Sequence, residues 1–199
     1  MGLLDVVLPS ACAGCRRPGG SPCPECLDSM RAVGWVRSLP VPVVAAVAYE
    51  AVAREVVADV KFRSRRSSLG WMADAVAGVV WWARVPVDTV TWVPASRSGR
   101  RRRGFDQGQM LAREVGRRLQ CPVRGLLVRE GGARQAGLGR RDRLGDTGIR
   151  TRDSADPGRA QRVLVVDDVV TTGASMIAAV EALRPGASDV VGAAFAHKR

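Results

Sequence analysis

The sequence predicts an α/β fold, a mainly parallel sheet flanked by helices, with a small cysteine-rich segment at its N-terminus. Three observations predict it. From residue 43 onward, apolar strand-like runs alternate with stretches of helical spacing, the order that builds βαβ units. The run "RVLVV", Arg162 to Val166, lacks polar alternation, as a central strand buried on both faces does. Four of the five cysteines fall in the first 30 residues as two C-x-x-C pairs. The expected division is residues 1–30 for the cysteine segment, 31–42 for a linker and 43–199 for the main domain.

The elements follow in order. "VRSLPVPVV" carries two prolines, which suit a linker entering an extended segment. "PVVAAVAYE" reads as a strand. "YEAVAREVVADVKF" has apolar residues at 49, 52, 56, 57 and 60, close to helical spacing. Gly70 to Arg84 reads as a second, more buried helix, with Trp71, Trp81 and Trp82 expected in the core. "VDTVTWVPAS" is a strand ended by Pro94, "RSGRRRRGFDQ" a basic loop, and "GQMLAREVGRRL" an amphipathic helix. "PVRGLLVRE" is a strand. Residues 130–160, rich in Gly, Arg and Asp without periodicity, form a long loop of the functional or mobile kind. "SMIAAVEALRPGA" is a helix stopped by Pro185 and Gly186, and "DVVGAAFAHK" is the last strand, which His197 ends. Cys121, near a strand start, is expected to be a small core residue.

The chain has 31 basic and 19 acidic residues, a formal charge of +12. That balance favours phosphorylated or polyanionic partners, and two readings stand side by side: a solvated, arginine-biased surface or a nucleic-acid footprint. Only Phe105 interrupts the basic loop, which argues against base stacking on single strands. No segment approaches the roughly 18 apolar residues of a membrane helix, so no membrane insertion is expected. The N-terminus does not read as a signal peptide, and the expected location is cytoplasmic.

"VLVVDDVVTTGAS", Val163 to Ser175, carries the chemistry. Ligands of open α/β sheets sit beyond the carboxyl ends of strands, where Asp167 and Asp168 fall if the strand is Val163 to Val166. Adjacent carboxylates there can accept hydrogen bonds from vicinal hydroxyls, as on a ribose, or interact with hydrated Mg²⁺. "TTGAS" supplies hydroxyls, a glycine and successive backbone N–H groups leading into a helix, a ready phosphate site. The plain alternative is a helix cap from Thr172 or Ser175. Two neighbouring acids argue against it, because close carboxylates repel unless a ligand or cation offsets them.

This stretch closely resembles the phosphoribosyl-pyrophosphate signature of type I phosphoribosyltransferases. With "YEAVAREVVADVKFR", "RRRGFDQGQMLAREV" and "RQAGLGRRDRL", the chain resembles the ComF family, which joins an N-terminal zinc-ribbon-like segment to such a domain. The resemblance implies a type I phosphoribosyltransferase-like fold and roles for named residues. Asp167 and Asp168 would contact the ribose hydroxyls, and Thr171, Thr172, Gly173, Ala174 and Ser175 would surround the 5′-phosphate. "VPASR" matches the place of a pyrophosphate loop, nominating Ser96 and Arg97. Asp106 and Asp146 stand where the family commonly has Asn, a departure that bears on the second substrate or on local hydrogen bonding.

The implied reaction transfers a phosphoribosyl group to an unknown acceptor, releases pyrophosphate and uses Mg²⁺ with phosphoribosyl pyrophosphate. No protein nucleophile is needed, and His197 is not cast as a general base. Catalysis would rest on positioning and electrostatics by Asp167, Asp168 and Arg97. Arg102 and Arg103 are further candidates for the leaving pyrophosphate, and the same arginines suit a solvated loop or a DNA-phosphate stripe. Gln135 and Arg143 are candidates on a closing loop. Family membership further implies a link to DNA uptake or the competence machinery. The alternative is a regulatory, nucleic-acid-associated protein that keeps the pocket as a sensor.

Cys12, Cys15, Cys23 and Cys26 offer four thiolates in two knuckles, a donor set that suits structural Zn²⁺. Arg16 and Arg17 would offset the thiolate charge. With so few apolar residues, the segment is expected to need the metal to fold.

Overall fold

The computed structural model describes residues 11–20, 22–63, 66–96, 105–130, 147–152 and 161–198. Its elements are α1 (Pro24–Asp28), β1 (Ala32–Trp35), β2 (Val43–Ala48), α2 (Ala51–Arg63), α3 (Arg66–Trp82), β3 (Thr89–Trp92), α4 (Gln107–Leu119), β4 (Leu127–Arg129), β5 (Ile149–Thr151), β6 (Arg162–Val170), α5 (Ala174–Leu183) and β7 (Asp189–His197). Five strands form one sheet in the order β1-β2-β7-β6-β3. All neighbours are parallel except β1 on β2. The expected mainly parallel α/β architecture is what the chain adopts.

Strand alternation sorts the core into two halves. Leu164 and Val166 of β6, with Val44, Ala193 and Phe195, pack against α2, α3 and α4. Val163 and Val165, with Val43, Ala45 and Ala194, pack against α5 on the other face. The continuous apolar run of β6 thus reflects helices on both sides, as a central strand requires.

Three local expectations change. Ala32–Trp35, inside the stretch read as a linker, forms an antiparallel edge strand, with Gly34 at φ +75 letting Trp82 approach. Leu127–Arg129 pairs with Ile149–Thr151 in a two-stranded antiparallel sheet, so residues 130–160 are not one continuous loop. Trp81 and Trp82 are exposed by 81% and 67%, because they sit on the last turn of α3, beyond its core-facing residues Met72, Val76 and Val80. Trp71 does reach the core, meeting Phe195 edge-on at 5.4 Å. Cys121 is half-buried against the same core and donates to the Val87 and Leu119 carbonyls. Among the described residues, no helix is long and apolar enough to cross a membrane.

Candidate functional site

β6 runs through the acid pair to Val170 rather than stopping at Val166. The acids are nevertheless open, because β3 ends beside Val166 (its last pair is Trp92 with Val166) while β7 continues to pair with β6 as far as Val170. Beyond the end of β3, one flank of β6 borders a cleft of about 210 Å³. Val93 to Ser96, Gln107, Gly108, Arg129, Ser175 and Lys61 line that cleft together with Asp167 and Asp168.

Consecutive strand residues face opposite sides, so the two acids have different company. Asp168 meets Lys61 of α2, with Nζ 2.7 Å from Oδ2. Asp167 lines a second, smaller cavity with Thr171 to Met176. Its Oδ1 accepts from the Asp168 backbone N–H at 2.8 Å. Burial and the neighbouring Asp168 charge hold the Asp167 carboxyl well above the usual carboxylate range. An acid pair in this state favours a partner that supplies hydroxyl donors or positive charge.

After β6 the chain turns through Thr171 and Thr172 to Gly173, which adopts φ +80 and opens α5. Gly173 is the N-cap and carries no side-chain cap. Thr172 Oγ1 stands 3.5 Å from the Ala174 N–H, at the outer limit of a hydrogen bond. Ser175 instead accepts from Arg129 Nη2 at 3.0 Å. Thr172 thus keeps a long cap bond to one first-turn N–H while Ser175 turns to Arg129, and the first turn of α5 borders a cavity of about 110 Å³.

Arg129 and Lys61 are cations that sequence reading did not nominate. Arg129 lies on β4 and also donates to the Pro94 carbonyl at 2.9 Å, so one guanidinium ties the loop after β3 to the first turn of α5. Burial pulls its pKa below the usual arginine value, against the opposing charges of Asp167 and Asp106. Lys61 lies near the end of α2, where helical spacing reports only the apolar stripe. Its pairing with an acid on β6 has no local sequence signal.

Asp106 caps α4. Oδ1 accepts from Gln109 N at 3.3 Å, and Oδ2 accepts from Ala95 N at 3.2 Å. The carboxylate thus uses both oxygens, one on the helix and one on the loop carrying Ser96, which accounts for Asp at this position as local hydrogen bonding. Gln107, only 3% exposed, has no hydrogen-bond partner for either side-chain amide atom among the described residues. Ser96 is exposed at the cleft. Arg97, Arg102, Arg103, Gln135, Arg143 and Asp146 lie outside the described residues.

On the far side of the Thr171–Thr172 turn lies a larger cavity of about 560 Å³. Trp35, Arg37, Leu39, His197 and Lys198 are among its lining residues. His197 is the last residue of β7.

The four N-terminal cysteines also converge. Their sulfurs all lie within 4.8 Å of one another, with Cys15 and Cys23 at 3.6 Å. Tetrahedral Zn–S bonds of about 2.3 Å place sulfurs about 3.8 Å apart, so the set fits zinc. Burial opposes ionisation of Cys12, but backbone N–H groups of Cys15, Cys23 and Gly14 bring its thiol down to about 6. Arg16 does not serve the thiolates. It adopts φ +63 and reaches α2, where its guanidinium pairs with Glu55 and, at 3.2 Å, with Asp59.

Residues 106–199 match the family model of the phosphoribosyl transferase domain. The matched segment holds the acid pair, the Thr171–Ser175 turn and Arg129. No curated protein matches the chain. Among solved structures, a glutamine phosphoribosylpyrophosphate amidotransferase from B. subtilis, complexed with ADP and GMP, aligns at 18% identity and a TM-score of 0.47. That alignment covers 68% of this chain and 30% of the other, so the chain spans under a third of that protein. An adenine phosphoribosyltransferase from Leishmania donovani aligns at 12% identity and 0.47, covering 79% of this chain and 71% of the other. An orotate phosphoribosyltransferase from Aeropyrum pernix aligns at 23% and 0.40, covering 71% and 60%.

Proposed function

We propose that the protein binds phosphoribosyl pyrophosphate with Mg²⁺ at the acid pair and transfers the phosphoribosyl group to an acceptor. The observation that carries this is the junction of β6 and α5: two carboxylates beside a helix start whose N-cap residue is a glycine, in the segment that matches the phosphoribosyl transferase domain. A ribose 5-phosphate has vicinal hydroxyls at one end and a dianion at the other, the chemistry these two features complement.

Asp167 and Asp168 accept hydrogen bonds from the ribose hydroxyls. The backbone N–H groups and hydroxyls from Thr171 to Ser175 hold the 5′-phosphate. Ser96, Arg97, Lys61 and Arg129 surround the leaving pyrophosphate. The acid pair and the pyrophosphate oxygens are hard donors that fit Mg²⁺, which when bound supplies positive charge against the leaving group. The bond from the anomeric carbon to pyrophosphate breaks, the pyrophosphate keeps the electron pair, and a bond to the acceptor forms. This chain's part is to orient the sugar and stabilise the separating charges.

The acceptor approaches opposite the leaving group. The 560 Å³ cavity beyond the Thr171–Thr172 turn has a size suited to a small molecule, an aromatic wall in Trp35 and two cations, Arg37 and Lys198. The cysteine module holds a structural Zn²⁺ and completes the arrangement that resembles the ComF family.

The test is a thermal-shift titration with phosphoribosyl pyrophosphate and Mg²⁺ on wild type and Asp167→Asn, Asp168→Asn. Ligand at about a hundred times its Kd stabilises a fold by about 2.7 kcal/mol. A shift that the double variant loses supports the reading, and no shift in the zinc-loaded wild type contradicts it.

A further inference from the structure

We infer that Gln107 is a binding residue for the pyrophosphate end of the ligand, its amide donating to a phosphate oxygen and accepting from water on Mg²⁺. The inference rests on the proposed sugar-phosphate site and adds one contact to it. Gln107 is the first residue of α4 and lines the 210 Å³ cleft together with Asp168, Lys61, Ser96 and Arg129. It is 3% exposed, and neither of its amide atoms has a hydrogen-bond partner among the described residues. A buried amide without partners costs stability, and methionine would fill nearly the same volume without that cost. Packing therefore gives no reason for glutamine at this position. A polar group left open beside a cleft is accounted for when a ligand completes it.

The backbone on either side of Gln107 is fixed. Asp106, ahead of it, accepts from Gln109 N at 3.3 Å and from Ala95 N at 3.2 Å, which ties α4 to the loop after β3. Gly108, behind it, lies against the end of β3. A β-carbon there would stand 3.0 Å from the Val93 carbonyl oxygen and 3.3 Å from Trp92 Cδ1. Gln107 thus keeps its place at the cleft wall. No hydrogen bond holds its terminal torsion, which is broad in any glutamine, so the amide is able to turn toward what fills the cleft.

The cations of the cleft already have partners. Lys61 Nζ lies 2.7 Å from Asp168 Oδ2, and Arg129 donates to the Pro94 carbonyl and to Ser175. Their charge attracts pyrophosphate, and Gln107 Nε2 has two uncommitted N–H groups to give its oxygens. Oε1 takes only donors, and water hydrating Mg²⁺ is one. A neutral amide serves both, whereas a lysine here would repel the metal and a glutamate the pyrophosphate.

The test uses the full chain, wild type against Gln107→Met. Calorimetry gives the Kd of phosphoribosyl pyrophosphate, inorganic pyrophosphate and ribose 5-phosphate, each with Mg²⁺, and melting temperature is read without ligand. Gln107→Met is expected to weaken the first two about tenfold and to leave ribose 5-phosphate unchanged. Its ligand-free melting temperature is expected to equal or exceed that of wild type, which loss of a structural hydrogen bond would not produce.

Unchanged affinity for pyrophosphate overturns the inference, and so does an equal loss for ribose 5-phosphate, which marks general damage to the site. Should Gln107→Met fail to fold, Gln107→Asn, whose amide falls one methylene short, replaces it in the affinity comparison. Pyrophosphate binding that depends on Gln107 in a protein with no affinity for the two sugar phosphates leaves the inference standing and overturns the proposed function instead.

Discussion

Gly173 and Leu39 pack so closely that a β-carbon on Gly173 would stand 2.5 Å from Leu39 Cδ2. Leu39 belongs to the connection between β1 and β2, and Gly173 is the residue that turns the chain from β6 into α5 at φ +80. The turn proposed to hold the phosphate is thus braced by a segment from the far edge of the sheet. Its shape depends on a residue with no side chain in a conformation that other residues adopt only with strain.

Gly173→Ala tests that dependence. The left-handed conformation alone costs about 1–2 kcal/mol, and the clash with Leu39 adds to it. The expected result is a lower melting temperature together with a larger loss of affinity for phosphoribosyl pyrophosphate than stability alone explains. Leu39→Ala in the same background relieves the clash and recovers part of the stability but not the affinity.

Asp106→Ala removes both acceptors of the bridge between α4 and the Ser96 loop, and loss of such a cap costs about 1 kcal/mol. Asp106→Asn keeps one oxygen for Gln109 N and loses the acceptor for Ala95 N. Urea unfolding is expected to show a small loss for Asn and the full loss for Ala. Both variants raise the KM for phosphoribosyl pyrophosphate, because both free the loop that carries Ser96.

The raised pKa of Asp167 gives ligand binding a pH dependence. Its folded-state value lies above the ordinary 3.8. The stability this group contributes to the ligand-free fold is fully present below 3.8 and is lost as pH rises through the folded value. A sugar held by the carboxylate requires it ionised, so affinity strengthens with pH over that same window and binding releases a proton. Calorimetry in buffers of different ionisation enthalpy reads that proton directly, and Asp167→Asn abolishes its release.

Metal removal tests the cysteine module. The wild-type protein is expected to carry one Zn²⁺ per chain. Chelation, or Cys12→Ser, is expected to unfold residues 11–30 and lower the melting temperature of the whole chain, since Arg16 then leaves buried Asp59. An unchanged melting temperature after complete zinc removal contradicts the structural role of the metal.

Much of this site was legible in the sequence, for physical reasons that also mark the limit. The run Val163 to Ser175 announces itself because a doubly buried strand must be apolar throughout, and because the acids and hydroxyls at its end are not what packing alone would call for. Spacing also exposed the four cysteines. Lys61 and Arg129 stayed hidden since each meets its partner across the fold, and a lone cation carries no periodic signal. β4 falls inside the run read as a strand, whereas β5 was missed because a strand of three residues is too short to show alternation. β1 was obscured by prolines, which are read as a linker yet are tolerated beside an edge strand. Trp81 and Trp82 fit the helical pattern, and only the extent of the core beneath α3 decides that they face out.

The most direct measurement is a crystal structure of the zinc-loaded protein with phosphoribosyl pyrophosphate and Mg²⁺. The account predicts ribose hydroxyls within hydrogen-bond distance of Asp167 and Asp168, the 5′-phosphate on the backbone of Thr171 to Ser175, and pyrophosphate between Ser96, Lys61 and Arg129. A ligand whose phosphates lie instead against Arg37 and Lys198, with the acid pair untouched, would contradict it.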